Sequence, residues 1–257
     1  MPPSNSNLNE NSIITISKRF IKDKRAKELL LTKFDWNTPE SLKIRSTIQA
    51  FNTHMSSCIT PGKCFVIDES MNQWLGIGQE FKTLADHHTY CILQIDTVSD
   101  PKPKEYDSDE GMRKLTATVK RLVKPWFGTG RTVIADSWFG APDITTMLTE
   151  LGLYYIMQVA KRRYWPRGMP TTDVVEHTDN EPGSIFTMKN QQRGLLVTTF
   201  RHLKVKAFIS SCGTTRLSGS CAVEHKGQIK QFARPAVVDE YEKHKVRLML
   251  LTTLDII

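Results

Sequence analysis

Two short segments of this chain place an aspartate at the end of an apolar run: Val66-Ile67-Asp68 and Ile134-Ala135-Asp136. In α/β sheets the C-terminal edge of the strands is where ligands and metals collect. If the two strands are neighbours, the carboxylates can share a divalent cation. Hard oxygen ligands suit Mg²⁺, and a pair of such ions activates an attacking water and stabilises the leaving oxygen in phosphoryl transfer. An aspartate at a strand end also caps turns in many proteins, so the two acids alone leave both readings open. A third cluster is basic and aromatic: Lys161, Arg162, Arg163, Tyr164, Trp165 and Arg167. Its cations can reach phosphates and its rings can stack on an unpaired base. The alternative is a solvated loop whose rings pack on the sheet.

Charge points the same way. The 257 residues carry 35 Lys and Arg against 27 Asp and Glu, a net charge of +8, which favours a polyanionic partner. The basic stretch from Lys18 to Lys27 reads equally as a DNA contact, a nuclear import signal or a solvated helix face.

Several classes are excluded. No apolar run is long enough to span a membrane. The start, MPPSNSNLNENS, lacks a basic segment followed by an apolar one, so secretion is not expected. The five cysteines read as reduced thiols, and His54, Cys58 and Cys64 fit no zinc spacing. His87 and His88 are adjacent, so on a strand they would face opposite ways, and they read as turn residues. Trp74, Trp126, Trp138 and Phe139 read as core. No Gly-rich phosphate loop, serine nucleophile elbow or H-E-x-x-H motif is present.

The elements that must position these residues follow from pattern. Thr38-Pro39 predicts a helix start, with Ile44, Ile48, Phe51 and Met55 tracing one stripe. Strands are predicted at 64–68, 79–84, 89–97, 132–136, 154–159, 194–199 and 204–210. Helices are predicted at 114–126 and 141–151. Residues 99–112 read as an acidic loop, 171–194 as loop-rich, and 213–231 as weakly patterned. The first strands lie too close together for crossovers and predict a meander. Strands alternating with helices then give an α/β fold with a mixed sheet.

Longer strings sharpen the reading. Pro61-Gly62, then Val66 to Ser70 (VIDES), then Trp74-Leu75-Gly76 resembles the segment around the first catalytic aspartate of piggyBac-type transposases. Asp136-Ser137-Trp138-Phe139, followed by a helix, the strand Tyr155 to Val159 and a basic loop ending in Gly168-Met169-Pro170, resembles the second. Arg234-Pro235, Val237-Val238 and Glu240-Tyr241 resemble the approach to the third. The resemblance covers about residues 40–245. It implies an RNase H-like mixed sheet with flanking helices and metal-dependent cleavage and transfer of DNA strands. Asp68 and Asp136 would be catalytic and the first two ligands of Mg²⁺ or Mn²⁺. Water would be the first nucleophile and a DNA 3′-hydroxyl the second. Double-stranded DNA at transposon ends would be the partner, with the 161–167 loop as a contact. Synapsis of two ends implies at least a homodimer. A nuclear location follows from the resemblance, with the cytoplasm as the alternative.

The chain departs from that pattern. No Val-Asp follows Tyr241 at the family's distance; Asp255 comes too late and Asp239 too early. This predicts a change of reading frame or an exon boundary near Lys245. The basic segment between the first aspartate strand and the next is replaced by a tight hairpin around Trp74 to Gln79. The cysteine-rich C-terminal module and much of the N-terminal region have no counterpart. The expected organisation is a disordered tail at 1–12, a partial helical region at 13–60, an incomplete catalytic domain at 61–245 and an aberrant apolar tail at 246–257. The expected activity is weak or absent for want of the third aspartate. The alternative is a non-catalytic, domesticated or decayed DNA-binding protein.

Overall fold

The computed structural model describes residues 35–74, 77–159, 175–225 and 227–251. Among the described residues, ten strands and four α-helices carry the architecture. Helix α1 (Pro39–Cys58) is followed by β1 (Cys64–Trp74), β2 (Ile77–Asp86) and β3 (Ile92–Thr97). Next come α2 (Lys114–Val123), β4 (Thr132–Ala135), α3 (Pro142–Glu150) and β5 (Tyr154–Val159). The chain continues with β6 (Ile185–Asn190), β7 (Leu195–Arg201), β8 (Val205–Ser210), β9 (Leu217–His225) and β10 (Gln228–Pro235). Helix α4 (Ala236–Leu251) ends the described chain.

Eight strands form one mixed sheet in the order β3-β2-β1-β4-β5-β8-β7-β6. The β1-β2-β3 segment is the expected antiparallel meander, with Trp74 paired to Ile77 across its first turn. Strands β1, β4 and β5 are parallel, joined by crossovers through α2 and α3. Strands β4 and β5 and the first four residues of β1 are short apolar runs because both faces are covered. One face sets Phe65, Ile67, Val133, Ala135, Tyr155 and Met157 against α2 and α3 in the larger core. The opposite face sets Ile134, Ile156 and Phe208 against Val237, Val238 and Tyr241 of α4. The alternation of side chains along each strand therefore assigns even-numbered residues of β1, β4 and β5 to the α4 face.

The sheet edge at β3 is blunted by α1. The Asn52 amide donates to the Ile95 carbonyl at 2.8 Å and accepts from the Ile95 N–H at 2.8 Å, supplying the partner that a ninth strand would otherwise provide. Thr38 precedes α1 as expected but makes no side-chain cap; its hydroxyl instead donates to the Asp35 carbonyl at 3.1 Å.

Three regions differ from the sequence reading. The strand expected at 64–68 runs on to Trp74 as β1. Residues 185–190, expected as loop, form β6 and extend the sheet by pairing with β7. Residues 217–235 form the β9-β10 ribbon. That ribbon is exposed along most of β10, so its sequence lacks the apolar alternation that marks a half-buried strand, and backbone pairing holds it instead. The boundary expected at 245 falls inside α4. Residues 1–12 lie outside the described residues.

Candidate active site

Register places the two aspartates together. Strands β1 and β4 pair through Ile67 and Ala135, and β4 and β5 pair through Ala135 and Met157. The next residue on each is Asp68, Asp136 and Gln158, so the three form a row just past the end of the parallel pairing, on the α4 face. The loop after β4 fixes Asp136. The Trp138 N–H donates to Asp136 Oδ1 at 2.8 Å, and the Phe139 N–H donates to the Asp136 carbonyl at 3.2 Å. Phe139 is fully buried and anchors the turn from the opposite face. Gly140 completes it: a Cβ there would fall 1.9 Å from the Gln158 carbonyl oxygen, so any side chain would push β5 from the row.

The electrostatics follow from this placement. Burial pushes the Asp68 carboxyl up to about 6 against its Glu69 backbone hydrogen bond, and repulsion from Asp136 adds to the rise. Lys82 moderates it: its ammonium pairs with Glu69, lies 2.6 Å from Glu80, and sits 5.4 Å from the Trp138 ring centre. Above the row, Tyr241 of α4 is fully buried, and its hydroxyl makes a long bond of 3.4 Å to Gln158 Oε1. Burial first, then the negative charge of Asp136, Glu242 and Asp68, holds that phenol well above its ordinary range.

Two adjacent carboxylates, one of them partly desolvated, fit a hard dication. Asp136 commits one oxygen to Trp138, and Asp68 gains most when a positive charge replaces a proton. The acids of α4 point elsewhere. Asp239 lies 2.5 Å from an Arg234 nitrogen and 2.8 Å from Lys243; burial raises its carboxyl, but the hydrogen bonds from these cations outweigh that and lower it. Gly219 leaves room for it, since a Cβ there would overlap the Asp239 carboxylate. Glu240 bonds His244, and Glu242 lies 2.6 Å from Lys206.

Trp138 corrects the sequence reading. It is not core but 63% exposed, standing beside Asp136, whereas its neighbour Phe139 and Trp126 are buried as expected. The turn after β4, held by the Trp138 N–H bond to Asp136 Oδ1, sends only Phe139 of the two rings into the core. His87 and His88 lie in the β2–β3 turn as expected. Lys161, Arg162, Arg163, Tyr164, Trp165 and Arg167 lie outside the described residues, as does the Trp74 side chain. Sequence reasoning missed Gln158 and Tyr241. The spacing of Gln158 from Tyr155, at the end of the strand after the second aspartate, was the available signal for the first; nothing in the sequence marked the second as facing the acids.

The Transposase IS4 family model matches residues 27–249. The chain belongs to that family. It is also similar to the piggyBac transposase solved by cryo-EM as a synaptic complex with hairpin DNA. The match has a TM-score of 0.59 and 18% identity, and covers 95% of this chain and 47% of that one. The fold is therefore the RNase H-like mixed sheet of that transposase, and the chain spans about half its length. No curated protein sequence matches the chain. Among the described residues, no helix is long and apolar enough to cross a membrane.

Proposed function

We propose that this chain is the catalytic-domain scaffold of a cut-and-paste DNA transposase, in which Asp68 and Asp136 hold a divalent cation, Mg²⁺ or Mn²⁺, over a DNA phosphate. The observation that supports it most is the juxtaposition of these two carboxylates at the edge of neighbouring parallel strands, in a chain of transposase family. The cation would supply charge stabilisation at the scissile phosphodiester. The chain's own parts orient it: Trp138 N–H aims Asp136, Gly140 keeps β5 close, and α4 closes the row from above. Trp138, exposed at the lip, offers a ring on which a nucleobase stacks. The segment 161–167, which follows β5 in the sequence, carries four cations and two rings that suit a DNA contact. Double-stranded DNA is the partner under this reading, with a homodimer if two ends are joined and the nucleus as the place of action.

Catalysis is weak under the same reading. In-line displacement needs tightly placed ions, and the three described acids of α4 are engaged with Arg234, Lys243, His244 and Lys206. Loss of one ligand of a phosphoryl-transfer centre costs roughly 10³-fold or more in rate. That engagement also favours the second reading, a decayed or domesticated protein that binds DNA without processing it.

The test combines binding and cleavage on duplex and hairpin DNA. The expected result is binding that weakens steeply with salt, and at most slow nicking with Mn²⁺ that Asp136→Ala removes. Absence of DNA binding at low salt would overturn the DNA reading. Rapid Mg²⁺-dependent cleavage abolished by Asp136→Ala would overturn the weak-activity reading and leave the site assignment standing.

A further inference from the structure

At the start of β1, away from the aspartates, three donors of a different kind converge. Cys64 Sγ, a carboxylate oxygen of Glu240 and a ring nitrogen of His244 all lie within 4.8 Å of one another. Cys64 is the first residue of β1, on the α4 face. Glu240 and His244 stand one helical turn apart on α4, so both side chains reach the same side. His244 Nε2 lies 2.9 Å from Glu240 Oε1. His244 is only 3% exposed, and its buried Nδ1 has no hydrogen-bond partner among the described residues. The His87 ring stands edge-on to it with centroids 3.6 Å apart, which closes the site on that side.

A buried imidazole with one nitrogen unmatched, beside a thiol and a carboxylate, has no settled hydrogen-bonding solution by itself. We propose that Cys64, Glu240 and His244 form a site for a borderline-soft transition-metal dication, Zn²⁺ by preference, with solvent as the fourth ligand. Thiolate, imidazole and carboxylate are the donors of tetrahedral zinc sites, whereas Mg²⁺ takes oxygen alone. Metal–donor distances of about 2.0–2.3 Å require the three side chains to draw in by little more than about 1 Å. On binding, the Cys64 thiol gives its proton to solvent and its sulfur lone pair to the metal. The ion would staple the start of β1 to α4, the helix that covers the aspartate row. The site is separate from that row in chemistry and in place: Asp68 lies four residues further along β1, about 13 Å at strand rise.

Cobalt substitution tests this directly. The full chain, freed of metal by chelation, is titrated with Co²⁺ and its absorption followed. The expected result is about one equivalent bound with a sulfur-to-cobalt charge-transfer band and the intense visible bands of four-coordinate cobalt, all discharged by Zn²⁺. Cys64→Ser should abolish the charge-transfer band. Glu240→Gln, at a half-exposed carboxylate where the fold is least at risk, should weaken Co²⁺ affinity at least tenfold with an unchanged circular dichroism spectrum. Absence of the band in the unaltered chain would overturn the proposal, as would a band that survives Cys64→Ser. The aspartate row has no sulfur and cannot produce the signal, so failure here leaves the DNA reading untouched.

Discussion

The two ends of the Cys64–Asp68 run of β1 meet different side chains under one helix. At its start, Cys64 meets a carboxylate and an imidazole, both from α4. Four residues on, Asp68 meets Asp136, a second hard carboxylate, and α4 contributes only a phenol. The difference lies in which residues of the helix face which end. Tyr241 looks toward Asp68 and Asp136, while Glu240 and His244 look toward Cys64. An α4 carboxylate directed at the aspartate row would complete a three-acid centre, and here the helix spends its acids on Arg234, Lys243, His244 and Lys206. The same strand and helix thus bring three side-chain donors to one end and two carboxylates to the other.

The most severe single change is at Tyr241, which packs α4 onto the sheet. Removing a fully buried ring packed on Phe208 at 5.0 Å should cost about 3–5 kcal/mol, and chemical denaturation of Tyr241→Ala measures it. Both metal signals should weaken together. If only one falls, α4 does not couple the two ends.

Trp138→Ala separates them. Stacking on a base is worth about 1–3 kcal/mol, so affinity for single-stranded or hairpin DNA should fall roughly tenfold or more in an anisotropy titration, with the cobalt spectrum unchanged. Unaltered DNA affinity would mean that the exposed ring is incidental.

Gln158→Glu sharpens the contrast by adding a third carboxylate to the row while keeping an acceptor for the Tyr241 hydroxyl. Mn²⁺ affinity should rise about tenfold, equivalent to about 1.4 kcal/mol. No gain would show that the row does not share one ion.

The smallest effect concerns protons. The Asp68 carboxyl titrates in the folded chain at about 6, above its unfolded value of 3.8. Its protonated form therefore favours the fold, and that contribution is complete below the unfolded value and lost as pH rises through about 6. In metal-free buffer Asp68→Asn should raise stability at pH 7.5 by about 1 kcal/mol, since solvent on the open side screens the carboxylate. At pH 3.5 the gain should vanish. Paired thermal melts at the two pH values read the difference, and an equal shift at both would assign the effect to packing.

Much of this arrangement was legible in the sequence because β4, β5 and the opening of β1 (Cys64 to Ile67) are short apolar runs with an acid or amide at or just past the end. Burial on both faces writes that pattern, and the spacing of the helices between them fixes the parallel order. Thr38-Pro39 marked the start of α1 for the local reason that proline suits a first helical turn. What was not legible had no local signature. Strand β10 is exposed on both sides, and its residues carry no alternation. Trp138 and Phe139 are equally apolar, and only the turn at Asp136 decides which is buried. Cys64 and His244 come from opposite ends of the described chain, and a glutamate four residues before a histidine is ordinary helix sequence until a strand places a thiol beside it.

The proposed chemistry turns on Asp68 and Asp136 holding one divalent ion together. Mn²⁺ titration of the zinc-saturated full chain, followed by electron paramagnetic resonance of the free ion, tests it most directly. The account predicts one weak Mn²⁺ site that either Asp68→Asn or Asp136→Asn removes, with Glu240→Gln leaving it intact. Mn²⁺ binding that persists in both aspartate variants, or that no form of the protein shows, would contradict it.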